Sequence, residues 1–438
     1  MNTLMLTASG LILRLITIGF QGWLAGQIGA DGIGLYQLTG SVTVLFTAVA
    51  ISGIRFAATR LAAEEAGLGH GEGVRAAMQR CCGYALFFGT ASGAALFLLA
   101  EPLGFLWIGD ARTVQSLQIA ALGMPVIALS SVLSGYFTAA GSVWKAAAVQ
   151  LAEQAVSVGL VIRFLQTCDP GDLEGVCSAI TRGSVTAGFL GLLFLVPVYL
   201  ADRRKRFRTV GKAQRLTRRM FSIALPLALS SYTKTALSTL EHLLIPRGLR
   251  LSGMSANAAL TGYGLVHGMA IPAILFPGCL IFSMAELLVP ELTEAQMQGN
   301  TQQIVRIVKR IRQYALLYAI VTGLALMLLS KPIAELIFHT MQAQKFILLL
   351  APLVPVMNLD TVTDACLRGL GQQRRVMHIN ILDAAFGVAL VWFLLPNQGI
   401  NGYVEMIWLT ESGNLLLSSL ALHRAMKREK SSGSTAGG

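Results

Sequence analysis

The chain has 438 residues, 54% of them apolar and only 13% charged, with 45 glycines and a formal net charge of +12. Soluble proteins carry about a quarter of their residues as charges, so this deficit excludes a disordered regulator, a coiled coil and most cytosolic enzymes. Apolar runs of about 20 residues, each able to cross a hydrocarbon core of about 30 Å as a helix, recur from end to end and predict an all-α polytopic membrane protein.

In chain order the expected spans are roughly 3–27, 37–60, 78–100, 115–139, 146–167 and 177–200, then 220–245, 258–287, 312–330, 345–368, 376–396 and 402–423, about twelve in all. The first does not read as a cleavable signal peptide, because it lacks a basic n-region and runs past the length of an h-region. Twenty-four of the 34 lysines and arginines fall in alternate connections and the C-terminal tail, against five in the other connections. That bias places both termini on the cytoplasmic side. It also accounts for the basic balance without nucleic acid, for which no binding signature is present.

The segment 201–219 (ADRRKRFRTVGKAQRLTRR) is the one long charged connection and sits at the midpoint. It divides the chain into an N-terminal six-helix lobe at 1–200 and a C-terminal one at 220–423, followed by a basic tail at 424–438 that ends in small, polar, disordered-type residues. The linker reads as a solvated hinge that also touches anionic headgroups. The lobes are related in sequence: Tyr36 corresponds to Tyr263, Leu61 to Leu288 and Glu64 to Glu291, then Gly141 to Gly371, Lys145 to Arg375 and Glu153 to Asp383. Six spans return the chain to the same side, so the repeats run parallel, an arrangement that predicts a cleft near the midplane and rocking of the lobes around it. Leu225-Pro226, Ile271-Pro272, Phe276-Pro277-Gly278 and Ala351-Pro352 could supply bends for such motion or simply static kinks.

Charges inside the spans carry the functional signal, since each costs about 2.5–3.5 kcal/mol on insertion scales unless a partner, water or a ligand meets it. Arg14 lies about 16 Å into span one at 1.5 Å per residue, and Lys234 is at similar depth in span seven. Two midplane cations suggest a substrate cavity for an anionic headgroup, the alternative being structural pairing with Glu153, Asp383 or Glu411. Glu241, two turns beyond Lys234 on the same helical face, joins the cavity set. Glu153, Asp383 and Glu411 are candidates for ion coupling or interhelical pairing. Arg55, Glu286, Asp360 and Asp364 lie nearer span ends and read as structural, with Arg368 the natural partner for the last two. No GxxxxGK[ST] phosphate loop and no HExxH is present, and the six histidines are isolated in sequence, so no cofactor, metal or catalytic group is expected. Six cysteines are too scattered for a disulfide framework, although Cys168 and Cys177 flank one polar loop and could pair on an oxidising side.

Several segments are similar to one family. They are Leu24-Ala25-Gly26-Gln27-Ile28-Gly29-Ala30-Asp31-Gly32-Ile33-Gly34-Leu35-Tyr36, Ala224-Leu225-Pro226, Ser238-Thr239-Leu240-Glu241, Ile245-Pro246-Arg247-Gly248-Leu249 and Gly268-Met269-Ala270-Ile271-Pro272. Leu288-Val289-Pro290-Glu291, Gly369-Leu370-Gly371-Gln372-Gln373 and Gly399-Ile400-Asn401-Gly402-Tyr403 continue the pattern. Together they resemble the stage V sporulation protein B group of polysaccharide-biosynthesis transporters, within the multidrug/oligosaccharidyl-lipid/polysaccharide (MOP) flippase superfamily. The resemblance implies a MATE-like fold in a bacterial plasma membrane and alternating access through a central cationic cavity. The implied substrate is a lipid-linked oligosaccharide, or a cell-wall or spore-envelope precursor, of undecaprenyl pyrophosphate type; a monomer is the expectation, with the oligomeric state left open by the sequence. Arg14 matches a basic position in span one of these flippases, whereas Phe20 and Gln21 stand where a second basic residue often follows. The alternative is a cation-coupled multidrug extruder, which would need an acidic cavity. A membrane-embedded transferase would need a catalytic cluster that the sequence lacks.

Overall fold

The computed structural model describes residues 2–68, 70–169, 171–206 and 216–435, without the side chains of residues 2–9, 11, 14, 205, 206, 286 and 429–435. Helices dominate, and no strand forms among the described residues. In chain order they are α1 (Asn2–Ile51), α2 (Ile54–Gly67), α3 (Gly71–Pro102), α4 (Val114–Ala139), α5 (Val143–Leu165), α6 (Leu173–Arg206) and α7 (Leu216–Leu251). Then follow α8 (Ala256–Tyr263), α9 (Ile271–Leu275), α10 (Cys279–Met297), α11 (Thr301–Pro332), α12 (Gln342–Leu350), α13 (Val354–Gly369), α14 (Gln373–Gln398) and α15 (Ile400–Thr435).

Nine described stretches are long and apolar enough to cross a membrane. The expected spans beyond these have identifiable fates. The first two merge into one stretch: α1 runs through the first and most of the second, kinked at Gly29 (φ 71°), which a residue with a Cβ would adopt at a cost, and α2 completes the second after a break at Ser52 and Gly53. α7 and α15 carry Lys234, Glu241, Glu405 and Glu411 within their length, which dilutes their apolar runs. α15 extends to Thr435, past the start of the small polar tail, and residues 436–438 and the middle of the basic linker, 207–215, lie outside the described residues. Large apolar side chains face outward along the long helices, among them Phe87 and Leu98 on α3 and Leu324 and Leu328 on α11. In water such surface would be an aggregation liability; in a bilayer it is the lipid-facing side.

The helices cluster into two compact units. One comprises residues 1–16 and 35–239, the other residues 17–34 and 240–438. In the first, α2 and α3 pack on α4, and α6 packs on both α4 and α5. In the second, α13 packs against α10, α11 and α15, and α14 against α15. A cluster from α10, α11, α13 and α15, including Leu292, Val308, Val362, Leu367 and Leu422, forms its buried core.

Local geometry repeats between the units. Pro102 ends α3 and opens a π-helical turn at Leu103–Ile108; Pro332 ends α11 and opens one at Ile333–Ile337. Gly141 (φ 63°) and Gly371 (φ 68°) make left-handed turns just before α5 and α14. Thr59 Oγ1 donates to the Gly135 carbonyl at 3.1 Å between α2 and α4, and Thr293 Oγ1 donates to the Gly369 carbonyl at 3.0 Å between α10 and α13. Both glycines let the partner helix approach its backbone: a Cβ on Gly135 would meet the Arg55 carbonyl, and one on Gly369 would meet Leu292.

Candidate functional site

Lys234 stands halfway along α7 with an exposed side chain and, among the described residues, no ion-pair partner. Arg14 lies on α1, but its side chain falls outside the described residues. The neighbourhood of α7 in the first unit is polar. Ser52, held at a left-handed φ of 45° where α1 gives way to α2, contacts the hydroxyl of Tyr84 at 3.0 Å and that of Tyr232, two residues before Lys234. Gly53 (φ 68°) lies beneath the Ala224 carbonyl of α7, so a side chain there would clash as well as strain the backbone. At the start of α7, Arg219 bridges Glu64 and Glu65, reaching Glu65 Oε1 at 3.1 Å. Glu65 is 2% exposed and also faces His70 Nδ1 at 3.4 Å, which ties the end of α2 to α7 through a buried carboxylate.

Glu153, on α5, borders a cavity of about 320 Å³ in the first unit. Tyr36, Thr39, Thr43, Thr181 and Ser184 contribute its polar lining and Val126, Ile127 and Val185 its apolar lining. Room for the carboxylate comes from α6, where Gly191 lies so close that a Cβ there would meet Glu153 Cδ at 2.9 Å. The threonine hydroxyls of Thr39, Thr43 and Thr181 bond to carbonyls one turn earlier in their own helices, which leaves their oxygen lone pairs for a guest.

The second unit gathers acids from four helices. Glu241 of α7 rests against Gly387 of α14, whose missing side chain makes space for the carboxylate: a Cβ would meet Oε2 at 2.9 Å. Glu411 of α15 lies within electrostatic reach of Asp360, Asp383 and Glu241. Asp360 is held by Asn414 Nδ2 at 2.9 Å and Ser418 Oγ at 2.6 Å, and Asp364 pairs with Arg368 at 3.6 Å as the sequence suggested.

Beside this group sits a set that sequence reasoning missed. The rings of His242 and His267 approach to 4.3 Å between centroids, Tyr263 stacks on His267 at 5.2 Å and Tyr403 on Tyr263 at 6.4 Å. The histidines are isolated in sequence, yet a π-helical turn at Gly264–Ala270 brings His267 under α7. That turn is locked in place by α1: Gln21 Nε2 donates to the Gly268 carbonyl at 3.0 Å, and Gly264 and Gly34 cross with no room for a Cβ on either. Among the described residues no three His, Cys, Asp or Glu side chains converge as metal ligands. No disulfide forms among the six cysteines, so Cys168 and Cys177 are not bridged; Cys168 Sγ donates instead to the Phe164 and Gly175 carbonyls.

The polysaccharide biosynthesis protein family matches residues 1–296 of this chain. The chain belongs to that family. It is 24% identical over 415 residues to stage V sporulation protein B of Bacillus subtilis, covering 92% of this chain and 79% of the relative. It is 22% identical over 401 residues to the sporulation protein YkvU of the same organism, covering 91% and 88%. Among solved structures it is similar to an inward-facing multidrug resistance MATE family transporter of the MOP superfamily, with a TM-score of 0.73 at 14% identity over 96% of this chain and 98% of that one. A MOP superfamily transporter from Pyrococcus furiosus gives a TM-score of 0.67 at 14% identity over 98% and 96%. The chain therefore has the MATE-like fold that the sequence suggested, with the many apolar helices of a multi-pass membrane protein.

Proposed function

We propose that the protein flips a lipid-linked saccharide of the polyprenyl pyrophosphate type across a bacterial plasma membrane by alternating access, with both termini in the cytoplasm. Arg14 and Lys234 are the cations assigned to the pyrophosphate, and the lipid tail stays in the bilayer. The observation that carries this reading is Lys234, whose exposed ammonium at the middle of α7 has no ion-pair partner among the described residues. Against acyl chains it would cost about 2.5–3.5 kcal/mol, whereas a watered path used by an anionic headgroup turns the same charge into affinity. The family and the sporulation relatives agree with a lipid-linked saccharide as cargo. Glu241 sits two turns further along α7 and, with Asp383 and Glu411, supplies the carboxylates to which a coupling cation would bind; Glu153 does the same in the first unit.

A cation-coupled multidrug extruder is the second reading, favoured by the acidic, hydroxyl-lined cavity at Glu153. The two separate in one assay. With the purified protein in vesicles, Lys234→Ala abolishes movement of a labelled polyprenyl pyrophosphate saccharide and Lys234→Arg retains it if the flippase reading holds. An extruder would instead depend on Glu153 and move organic cations with Lys234 removed.

A further inference from the structure

The second unit contains a site of different chemistry at the end where its basic residues collect. α13 packs against both α11 and α15, which leaves a groove between those two helices floored by Leu359 of α13. The groove encloses about 470 Å³, enough for a phosphodiester headgroup and its first methylenes. Along α11 its wall runs Val305, Val308, Lys309, Arg312, Gln313 and Leu316, and along α15 Ser419, Leu422, His423 and Met426. Both sets follow the helical repeat, so each is a single helix face. Lys309, Arg312 and His423 lie among apolar neighbours, with Val305 and Val308 before Lys309 and Leu422 and Met426 on either side of His423. Leu316 lies about 10 Å beyond Lys309 and about 6 Å beyond Arg312 at 1.5 Å per residue.

No carboxylate lines the groove, and among the described residues Lys309, Arg312 and His423 make no ion pair; Arg312 donates only to Ser419 Oγ, at a long 3.4 Å. Arg306, Arg310, Arg424, Lys427 and Arg428 lie on the same stretches of α11 and α15 outside the groove lining and add to the positive field of this end. Tyr314, bonded to Arg310 at 3.1 Å, marks the level at which aromatic side chains sit between headgroups and chains. Below it the outward side chains of α11 are apolar, with Leu317 and Leu324 exposed.

We infer that the groove between α11 and α15 binds an anionic glycerophospholipid, its phosphate held by Lys309, Arg312 and His423 and its chains laid over Leu316 and Leu359. Lipid bound there bridges α11 and α15, which otherwise meet chiefly through α13. This binding stands apart from the transport reading and is tested without it.

The full-length protein in detergent is examined by native mass spectrometry with phosphatidylglycerol, phosphatidylcholine or inorganic phosphate. Phosphatidylglycerol is retained over the other two. Lys309→Gln with Arg312→Gln weakens retention by about 30-fold, from about 1 kcal/mol per cation beside an anionic headgroup. Arg424→Gln with Arg428→Gln removes the same charge outside the groove and leaves retention within about threefold. Leu316→Trp, which narrows the groove and keeps every charge, also weakens retention and covers the case in which the double variant does not fold. Equal loss from both charge pairs, equal retention of phosphatidylcholine, binding of phosphate alone as tightly as the lipid, or full retention by Leu316→Trp would each overturn the assignment.

Discussion

Replacing Gly264 by alanine tests the most crowded contact in the second unit. Built on the native backbone, the added Cβ lands on the Ala30 carbonyl, with Ala30 C and the Gly34 nitrogen each at 2.9 Å. All of these neighbours are backbone, so relief requires a helix to move rather than a side chain to rotate. Overpacking of this kind costs about 1–3 kcal/mol, and the better helix propensity of alanine returns at most about 1 kcal/mol. Movement of α1 would also stretch the Gln21 bond to the Gly268 carbonyl. The expected net loss of about 2 kcal/mol corresponds to a fall of roughly 4–8 °C in the melting point of a unit of this size. Gly159→Ala on α5, where nothing lies within 4 Å of the new methyl, serves as the control and should match or slightly exceed the wild type. Thermal curves by fluorescence-detected size exclusion of the detergent-solubilised proteins give the comparison. If Gly264→Ala melts with or above Gly159→Ala, the close crossing of α1 and the π-helical turn is wrong.

Removing the Arg219 guanidinium leaves Glu65 buried without its cation. Breaking a buried pair costs about 3–5 kcal/mol, reduced to about 1–3 kcal/mol because Arg219 is 39% exposed; Arg219→Ala should therefore melt well below Arg219→Lys. Thiol labelling of the denatured, unreduced protein should count all six cysteines, and a count of four would mean that a bridge forms. In vesicles, Glu153→Gln and Glu241→Gln should each lower the dependence of transport on an imposed ion gradient; unchanged gradient dependence in both would remove these carboxylates from coupling.

The parts legible in the sequence were those written in local pattern. Apolar runs gave the passes, and the pairing of Gly141 with Gly371 marked two equivalent left-handed turns ahead of α5 and α14. The repeat of π-helical turns after Pro102 and Pro332 was equally available from that alignment, although only the backbone shows what the prolines do. Contacts between distant segments were not legible. Ser52, Tyr84 and Tyr232 meet across three helices, and Arg219 finds Glu64 and Glu65 from the far side of the charged linker. His242 and His267 looked isolated because helix packing, and not spacing along the chain, brings their rings together. The carboxylate pockets were half visible. Glu153 and Asp383 stood out as matched acids within apolar runs, but the glycines that admit Glu153 and Glu241, Gly191 and Gly387, acquire meaning only from the facing helix.

The proposed transport rests on the Lys234 ammonium meeting an anionic lipid headgroup partway through the membrane. The most direct measurement is transbilayer movement of a fluorescent polyprenyl pyrophosphate saccharide in vesicles containing the wild type or Lys234→Ala, with insertion of both verified. Movement is expected with the wild type and at least about a tenfold loss with the variant, the equivalent of about 1.4 kcal/mol of transition-state stabilisation. Equal rates from the two proteins, or movement of organic cations and not of the lipid-linked saccharide, would contradict it.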